Sequence, residues 1–309
     1  FVQIGDENVH RVRALMDELF GDDNFVSEIR FRTSSGFETN LISNVFDCVV
    51  WYAKNKPIAK YRQLFSSKNT GVDSYFDSIQ LITGETRKVE SGSELPEGAR
   101  FVFNQPLISS GDSGNLSFSI GYQGKFYHCG LNRHWKTSMG GMERLFKSMR
   151  IHSSAATLKF RRFHDDYPVA VIDNQWGDTV SLLTRNYVVE TNPRVVERCL
   201  LMATDPGDLV LDPTCGSGTT ATVAEQWGRR WITIDTSRVA LALARARIMG
   251  ARYPYYLLAD SREGQLKEGE VTRTAPSTQP VHGNIRHGFV YERVPHITLK
   301  SIANNTEID

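Results

Sequence analysis

The stretch Leu209-Val210-Leu211-Asp212-Pro213-Thr214-Cys215-Gly216-Ser217-Gly218-Thr219-Thr220 runs from an apolar segment through Asp-Pro and two glycines into the helix-like Thr222-Val223-Ala224-Glu225-Gln226-Trp227. That is the outline of a strand, a tight turn and a helix. Gly216 and Gly218 allow the backbone to turn sharply and to approach a ligand with no Cβ in the way. Asp235 follows a second apolar run, Trp231-Ile232-Thr233-Ile234. A carboxylate there is placed to accept hydrogen bonds from ribose hydroxyls, so the spacing predicts a site for a nucleoside-containing cofactor.

Gly216-Ser217-Gly218-Thr219-Thr220-Ala221 also fits the permissive dinucleotide pattern, and on glycines alone an NAD-type site stays open. Asp212 favours a different ligand. A pyrophosphate seeks backbone N–H groups and gains nothing from a carboxylate at the mouth of the turn. The ammonium and sulfonium of S-adenosylmethionine do gain from one. Tyr253-Pro254-Tyr255-Tyr256-Leu257-Leu258-Ala259 is expected to be a third strand, ending in Asp260. Three strands finishing in Asp212, Asp235 and Asp260 would gather carboxylates at the carboxyl edge of an open parallel sheet, where ligands bind. Each Asp alone could simply cap the helix that follows; three after three apolar runs point to a site.

Asp-Pro-Thr-Cys-Gly-Ser-Gly-Thr-Thr at 212–220 resembles the cofactor motif of DNA methyltransferases that modify exocyclic amino groups. The resemblance is to the permuted motif order, as in modification subunits of type III restriction systems. There the catalytic half comes first, then a target-recognition region, then the cofactor half. Residues 1–8, a strand leading to a helix, resemble the segment after the family's catalytic loop, and Phe46-Asp47-Cys48-Val49-Val50-Trp51-Tyr52 resembles the strand closing that half. Thr191-Asn192-Pro193 resembles the turn that touches the methionine end of the cofactor, although the family more often has Lys-Pro. The family's catalytic tetrapeptide carries Pro-Pro, and this sequence has no Pro-Pro dipeptide. Together with Phe1 standing inside a predicted strand, this suggests an excerpt of a longer protein whose catalytic loop lies upstream.

The resemblance implies an α/β fold: a Rossmann-like S-adenosylmethionine-dependent methyltransferase with a mostly parallel sheet and a β-rich target-recognition insert. It implies methyl transfer to adenine N6 in duplex DNA, with cytosine N4 as the alternative. Asp212, Pro213, Gly216, Ser217, Gly218, Thr219, Asp235, Asp260, Thr191, Asn192 and Pro193 would hold the cofactor. A restriction subunit and a second copy of the chain are the partners it brings to mind. The other function classes open on the sequence are an NAD-dependent oxidoreductase and a non-catalytic DNA-binding module with a vestigial cofactor site.

Composition is that of an ordinary globular protein, 40% hydrophobic and 23% charged with a net charge of +1. No run approaches the length of a membrane helix. Cys48, Cys129, Cys199 and Cys215 are scattered without metal-ligand spacing and read as reduced thiols of a cytoplasmic protein. The near-neutral sum hides local excess: Lys136, Arg144, Lys147, Arg150, Lys159, Arg161 and Arg162 face only Glu143 over their span. Arg133, Lys136, Arg161 and Arg162 are the candidate DNA contacts. The arginine-rich helix from Arg238 to Arg252 reads instead as a solvated face.

Four zones follow. Residues 1–56 hold a strand, an amphipathic helix with Val9, Val12, Met16 and Leu19 on one face ended by Gly21, and strands near Phe25–Arg32 and Val45–Tyr52. Residues 57–173 form the insert, with short alternating strands and a tight hairpin at Gln123-Gly124. Residues 174–261 form the cofactor half, where Pro193 starts a helix capped by Thr191 or Asn192. Residues 262–288 lose periodicity and read as a flexible link, and the segment to 309 begins further structure.

Overall fold

A computed structural model describes residues 1–36, 38–68, 76–89, 95–180 and 190–308. The chain divides into two compact units. One comprises Phe1–Ser66 and Val171–Arg293; the other comprises Ser67–Ala170 with the residues from Val294 onward.

The first unit contains a four-stranded sheet in the order Val2–Gly5, Phe46–Tyr52, Phe25–Arg32, Gln175–Trp176. Cys48 through Tyr52 are all buried, as a strand covered on both faces requires, and this explains the uninterrupted apolar run. Its neighbours pair with it antiparallel, Val2 opposite Val50 and Ile29 opposite Val49. Gln175–Trp176 adds in parallel beside Phe25–Arg32. Trp176, 1% exposed, joins Ile29, Phe31, Val49 and Trp51 in one core with Val195, Cys199 and Met202 of the helix Pro193–Ala203. The amphipathic helix is Val9–Phe20, closed by Gly21 at φ +82° as its spacing predicts.

A separate two-stranded parallel sheet pairs Leu209–Asp212 with Arg230–Thr233 in register, Leu211 opposite Ile232. The helix Thr219–Gln226 joins the two strands, giving the strand–turn–helix–strand unit that the glycine stretch predicts. Val210 and Trp231 pack inward against Leu200, Val223 and Ala224. Leu209, Leu211 and Ile232 alternate to the opposite face and remain about half exposed or more.

Three expectations change here. The sheets are mainly antiparallel; among the described residues, these two strands pair in parallel, as does Gln175–Trp176 with Phe25–Arg32. Tyr253–Ala259 is not a sheet strand; it has only an isolated antiparallel bridge, Leu258 to Phe289. Pro254 has no N–H for a ladder, and the aromatics pack as rings instead, Tyr256 stacking on Trp227 at 5.6 Å. The expected flexible link contains a helix, Arg262–Thr272, whose N-cap Ser261 accepts from the Gly264 N–H at 2.9 Å.

The second unit is β-rich and antiparallel. Its five-stranded sheet runs Ile151–Ser153, Leu158–Phe163, Arg100–Pro106, Ser78–Gln80, Thr86–Lys88. The hairpin Ser119–Tyr122/Lys125–His128 turns through Gln123 at φ +49° and Gly124 at φ +75°, where two left-handed residues match the twist of the strands. The helix Met139–Lys147 buries Met142 and Leu145 beside Trp135, Leu158 and Phe160. The C-terminal residues are part of this unit: Ile302 of the helix Leu299–Ala303 is buried in the same cluster, and Ile297, Leu299 and Ile308 pack around it. This compact unit thus comprises Ser67–Ala170 together with the residues from Val294 onward. No described helix is long and apolar enough to cross a membrane.

Candidate functional site

The turn between Asp212 and Thr219 is built by its own backbone chemistry. Asp212 Oδ1 accepts from the Thr214 N–H at 3.0 Å, closing an Asx-type turn after the strand. The Cys215 N–H bonds the carbonyl of Ile234 at 2.9 Å and the Gly218 N–H that of Cys215 at 2.8 Å, so the loop is stitched to the end of the second strand. Gly216 and Gly218 have φ of +50° and +80°, left-handed backbone that favours glycine. Asp235 is the clasp. Its Oδ2 accepts from the Gly216 N–H at 2.9 Å and its Oδ1 from the Ser237 N–H at 2.8 Å. These backbone donors, Ser237 first, hold the Asp235 carboxyl below the usual carboxylate range.

The structure therefore brings Asp212, Gly216, Gly218 and Asp235 together around one turn. Both carboxylates are half-buried, and Asp212 Oδ2 and the two Asp235 oxygens keep lone pairs for further donors. Among the described residues no side chain or backbone N–H donates to Asp212 Oδ2. Pro213 is exposed on the outer rim of the turn. Cys215 is buried, and burial pushes its thiol above the ordinary range.

Ser217 and Thr219 are buried, and their hydroxyls turn toward Arg247 of the helix Arg238–Gly250. Arg247 Nη1 donates to Glu190 Oε1 at 2.8 Å, to Thr219 Oγ1 at 3.0 Å and to Ser217 Oγ at 3.2 Å. One guanidinium thus ties the glycine turn to the start of the 190–193 segment. The sequence offers no sign of this, since Arg247 is one of several arginines on a helix that reads as solvated.

Asn192 caps the helix Pro193–Ala203: its Oδ1 accepts from the Arg194 N–H at 2.9 Å, with Pro193 in the first turn. Its Nδ2 donates to the Thr179 carbonyl at 2.9 Å, while the Thr191 hydroxyl donates to Gln3 Oε1 at 2.7 Å. Asp260 stands apart. It is 6% exposed and its oxygens accept from the His282 and Asn284 N–H groups, which, Asn284 first, hold its carboxyl below the usual range. Asp260 therefore organises the 282–284 loop through both of its carboxylate oxygens.

In the second unit, Lys136 and Arg162 line one cavity. Arg161, next along the strand Leu158–Phe163, points to the opposite face because neighbouring strand residues alternate. Arg133 starts the short strand Arg133–Trp135 and is exposed. Of the four expected DNA contacts, Lys136 and Arg162 thus share a cavity and Arg161 lies on the other face of its strand. Among the described residues no group of three or more His, Cys, Asp or Glu is placed to hold a metal ion.

Known proteins resemble the chain over most of its length. A family model described as DNA methylase, of the N6/N4 class, matches residues 1–246. The type II methyltransferase M.EcaI of Enterobacter cloacae is 26% identical over 262 residues, covering 82% of this chain and 54% of its own length. The type II methyltransferase M2.DpnII of Streptococcus pneumoniae is 48% identical over 54 residues, 18% of this chain and 20% of the relative. The chain thus spans about half or less of the length of these curated relatives. Among solved structures, the M1.HpyAVI–SAM complex aligns with 79% of this chain and 72% of its own, at a TM-score of 0.36 and 11% identity.

Proposed function

The chain belongs to the N6/N4 DNA methylase family, and from that premise we propose that it forms the S-adenosylmethionine-binding and target-recognition parts of an enzyme that methylates adenine N6 in duplex DNA. The observation that carries this reading is the Asp212–Gly216–Gly218–Asp235 turn with its remaining acceptor capacity. Asp212 Oδ2 is open toward a cationic amino-acid end, and the Asp235 oxygens have lone pairs left for ribose hydroxyls. The first turn of the helix Thr219–Gln226 begins at the same loop, and its N–H groups suit a carboxylate. When bound, S-adenosylmethionine supplies a sulfonium-activated methyl group. The residues present fit its methionine and ribose ends.

The role of this chain is to position. Asp212 would fix the ammonium, Asp235 the ribose, and Arg247 the loop between them, so that the methyl group meets the target nitrogen in line. The β-rich unit would hold the duplex while the target base leaves the stack. The family's Pro-Pro loop is absent from these 309 residues. We expect the chain alone to bind cofactor without methylating. Thr191, Asn192 and Pro193 would support the site from the start of the helix Pro193–Ala203, which Asn192 caps.

Calorimetric titration with S-adenosylmethionine, with NAD and an Asp235→Ala variant in parallel, tests the reading. Saturable binding of S-adenosylmethionine that weakens in the variant supports it; binding of NAD instead overturns it. Nucleoside analysis of duplex methylated by the full-length protein separates N6-methyladenine from N4-methylcytosine.

A further inference from the structure

A cavity of about 400 Å³ in the second unit is lined by Lys136, Arg162, His296 and Lys300 around the buried Phe160, with Gln105 on its wall. Lys136 leaves the short strand Arg133–Trp135, and Arg162 stands on the strand Leu158–Phe163. His296 and Lys300 come from the C-terminal segment, more than 130 residues further along the chain. That segment is fixed: the Ile297 N–H bonds the carbonyl of Asp166 at 2.8 Å, Thr298 caps the helix Leu299–Ala303, and the His296 ring packs on Tyr167 at 4.2 Å. Among the described residues, none of Lys136, Arg162 and Lys300 has a carboxylate within salt-bridge distance. The neighbouring acids are engaged elsewhere, Asp165 with Arg100 at 2.8 Å and Asp166 with Arg150 at 2.6 Å.

Three cationic side chains converging on one concavity repel one another, and the low-dielectric wall behind them focuses their field outward. An anion relieves that repulsion. We propose that this cavity is a phosphate-binding site that grips the sugar–phosphate backbone of the duplex, with Lys136, Arg162 and Lys300 as the ion-pairing groups. The inference rests on the DNA substrate proposed above and adds to it the place of contact and the participation of the C-terminal segment. Arg161 and Lys159 face away from the cavity and are not part of it.

The test is the salt dependence of binding to a fluorescein-labelled duplex by the full chain, followed by anisotropy. Each phosphate contact contributes about 0.9 to the slope of log K against log salt, so Lys136→Gln/Arg162→Gln/Lys300→Gln is expected to lower the slope by about 2.7. Lys136→Gln/Lys300→Gln, confined to exposed side chains, is expected to lower it by about 1.8 with folding unaffected. A charge-matched control in the same unit, Lys88→Gln/Lys125→Gln/Lys147→Gln, should leave the slope near that of the parent. An unchanged slope in the cavity variants, or an equal fall in the control, overturns the proposal. So does displacement of the duplex by stoichiometric deoxyadenosine monophosphate, which would make the cavity a mononucleotide pocket. Titration of the same variants with S-adenosylmethionine keeps this outcome distinct from failure of the methylase reading, since the cofactor turn is untouched.

Discussion

At Gly218 a Cβ would stand 2.8 Å from the Cβ of Ala244 and 3.0 Å from its Cα, on backbone at φ +80°. The sequence marks this glycine as special and suggests ligand approach as the reason, whereas the structure gives close packing of the helix Arg238–Gly250. Ala244 is distant in sequence, and local spacing carries no trace of the contact. Gly218→Ala combines a left-handed penalty of about 1–2 kcal/mol with overpacking of about 1–3 kcal/mol. Urea denaturation should show a loss of about 2–5 kcal/mol on that basis; a variant as stable as the parent would remove Gly218 from the packing argument. Arg247→Met should weaken S-adenosylmethionine binding by about tenfold, because it removes the hydrogen bonds to Ser217 and Thr219 and the ion pair with Glu190 that hold the turn. In a double-mutant cycle with Glu190→Gln, calorimetry should give non-additive losses; additive ones would mean that Arg247 acts only on the hydroxyls. Asp235 supplies a pH signature. Its folded pKa lies below the unfolded value, so its stabilisation is complete above the ordinary carboxylate range and is lost as pH falls through the lowered folded value. Asp235→Asn should flatten that acid limb of the stability profile, as read by denaturation at a series of pH values.

Among the elements, those whose signal is local were legible. The helix Pro193–Ala203 is announced by Asn192 and Pro193, and the cap forms as that pair predicts. The two-residue hairpin at Gln123-Gly124 is legible for the same reason, since its left-handed pair is a property of the turn. Elements that depend on a distant partner were not. Tyr253–Ala259 has the composition of a strand, but among the described residues its pairing is one bridge, Leu258 to Phe289. The helix Arg262–Thr272 lacks an apolar stripe and is held by close backbone approach: a Cβ on Gly264 would meet the Leu258 carbonyl oxygen at 1.9 Å, and one on Gly269 the ring of Pro276 at 3.0 Å. Hydrophobic periodicity cannot register such contacts. The cap of Pro193–Ala203 offers the cleaner test at this scale. Asn192→Ala removes an N-cap, worth about 1 kcal/mol, and also the donor to the Thr179 carbonyl. Asn192→Asp keeps the cap acceptor and loses only that donor. Asp should therefore recover most of the stability lost in the Ala variant; if the two fall equally in urea denaturation, the Thr179 bond and not the cap fixes this helix.

Across the whole molecule, the least legible feature is the return of the chain from 294 onward to complete the β-rich unit. Nothing in Ile297-Thr298-Leu299-Lys300-Ser301-Ile302 distinguishes a segment that starts new structure from one that closes structure begun far upstream, because the apolar positions are the same in both cases. The structure separates them. Ile302 is 7% exposed among Leu145, Met142 and Trp135, and Arg144 Nη1 donates to the Ala303 carbonyl at 3.0 Å. The segment therefore carries both a share of the core and two walls of the cationic cavity. Ile302→Ala should cost about 2–4 kcal/mol through lost burial and the cavity left behind. That loss belongs to the unit containing Trp135, so it should be followed by hydrogen exchange at the amides of Leu158–Phe163 and not by a single global midpoint, which a two-unit chain need not have. Exchange should accelerate there and leave the amides of Phe46–Tyr52 unchanged. Acceleration in both places would show that the C-terminal segment stabilises the chain as one cooperative body. Acceleration in neither would show that Ile302 contributes no net stability despite its burial, and would leave Ile297 and the capped turn at Thr298 as the groups that hold Lys300 in place.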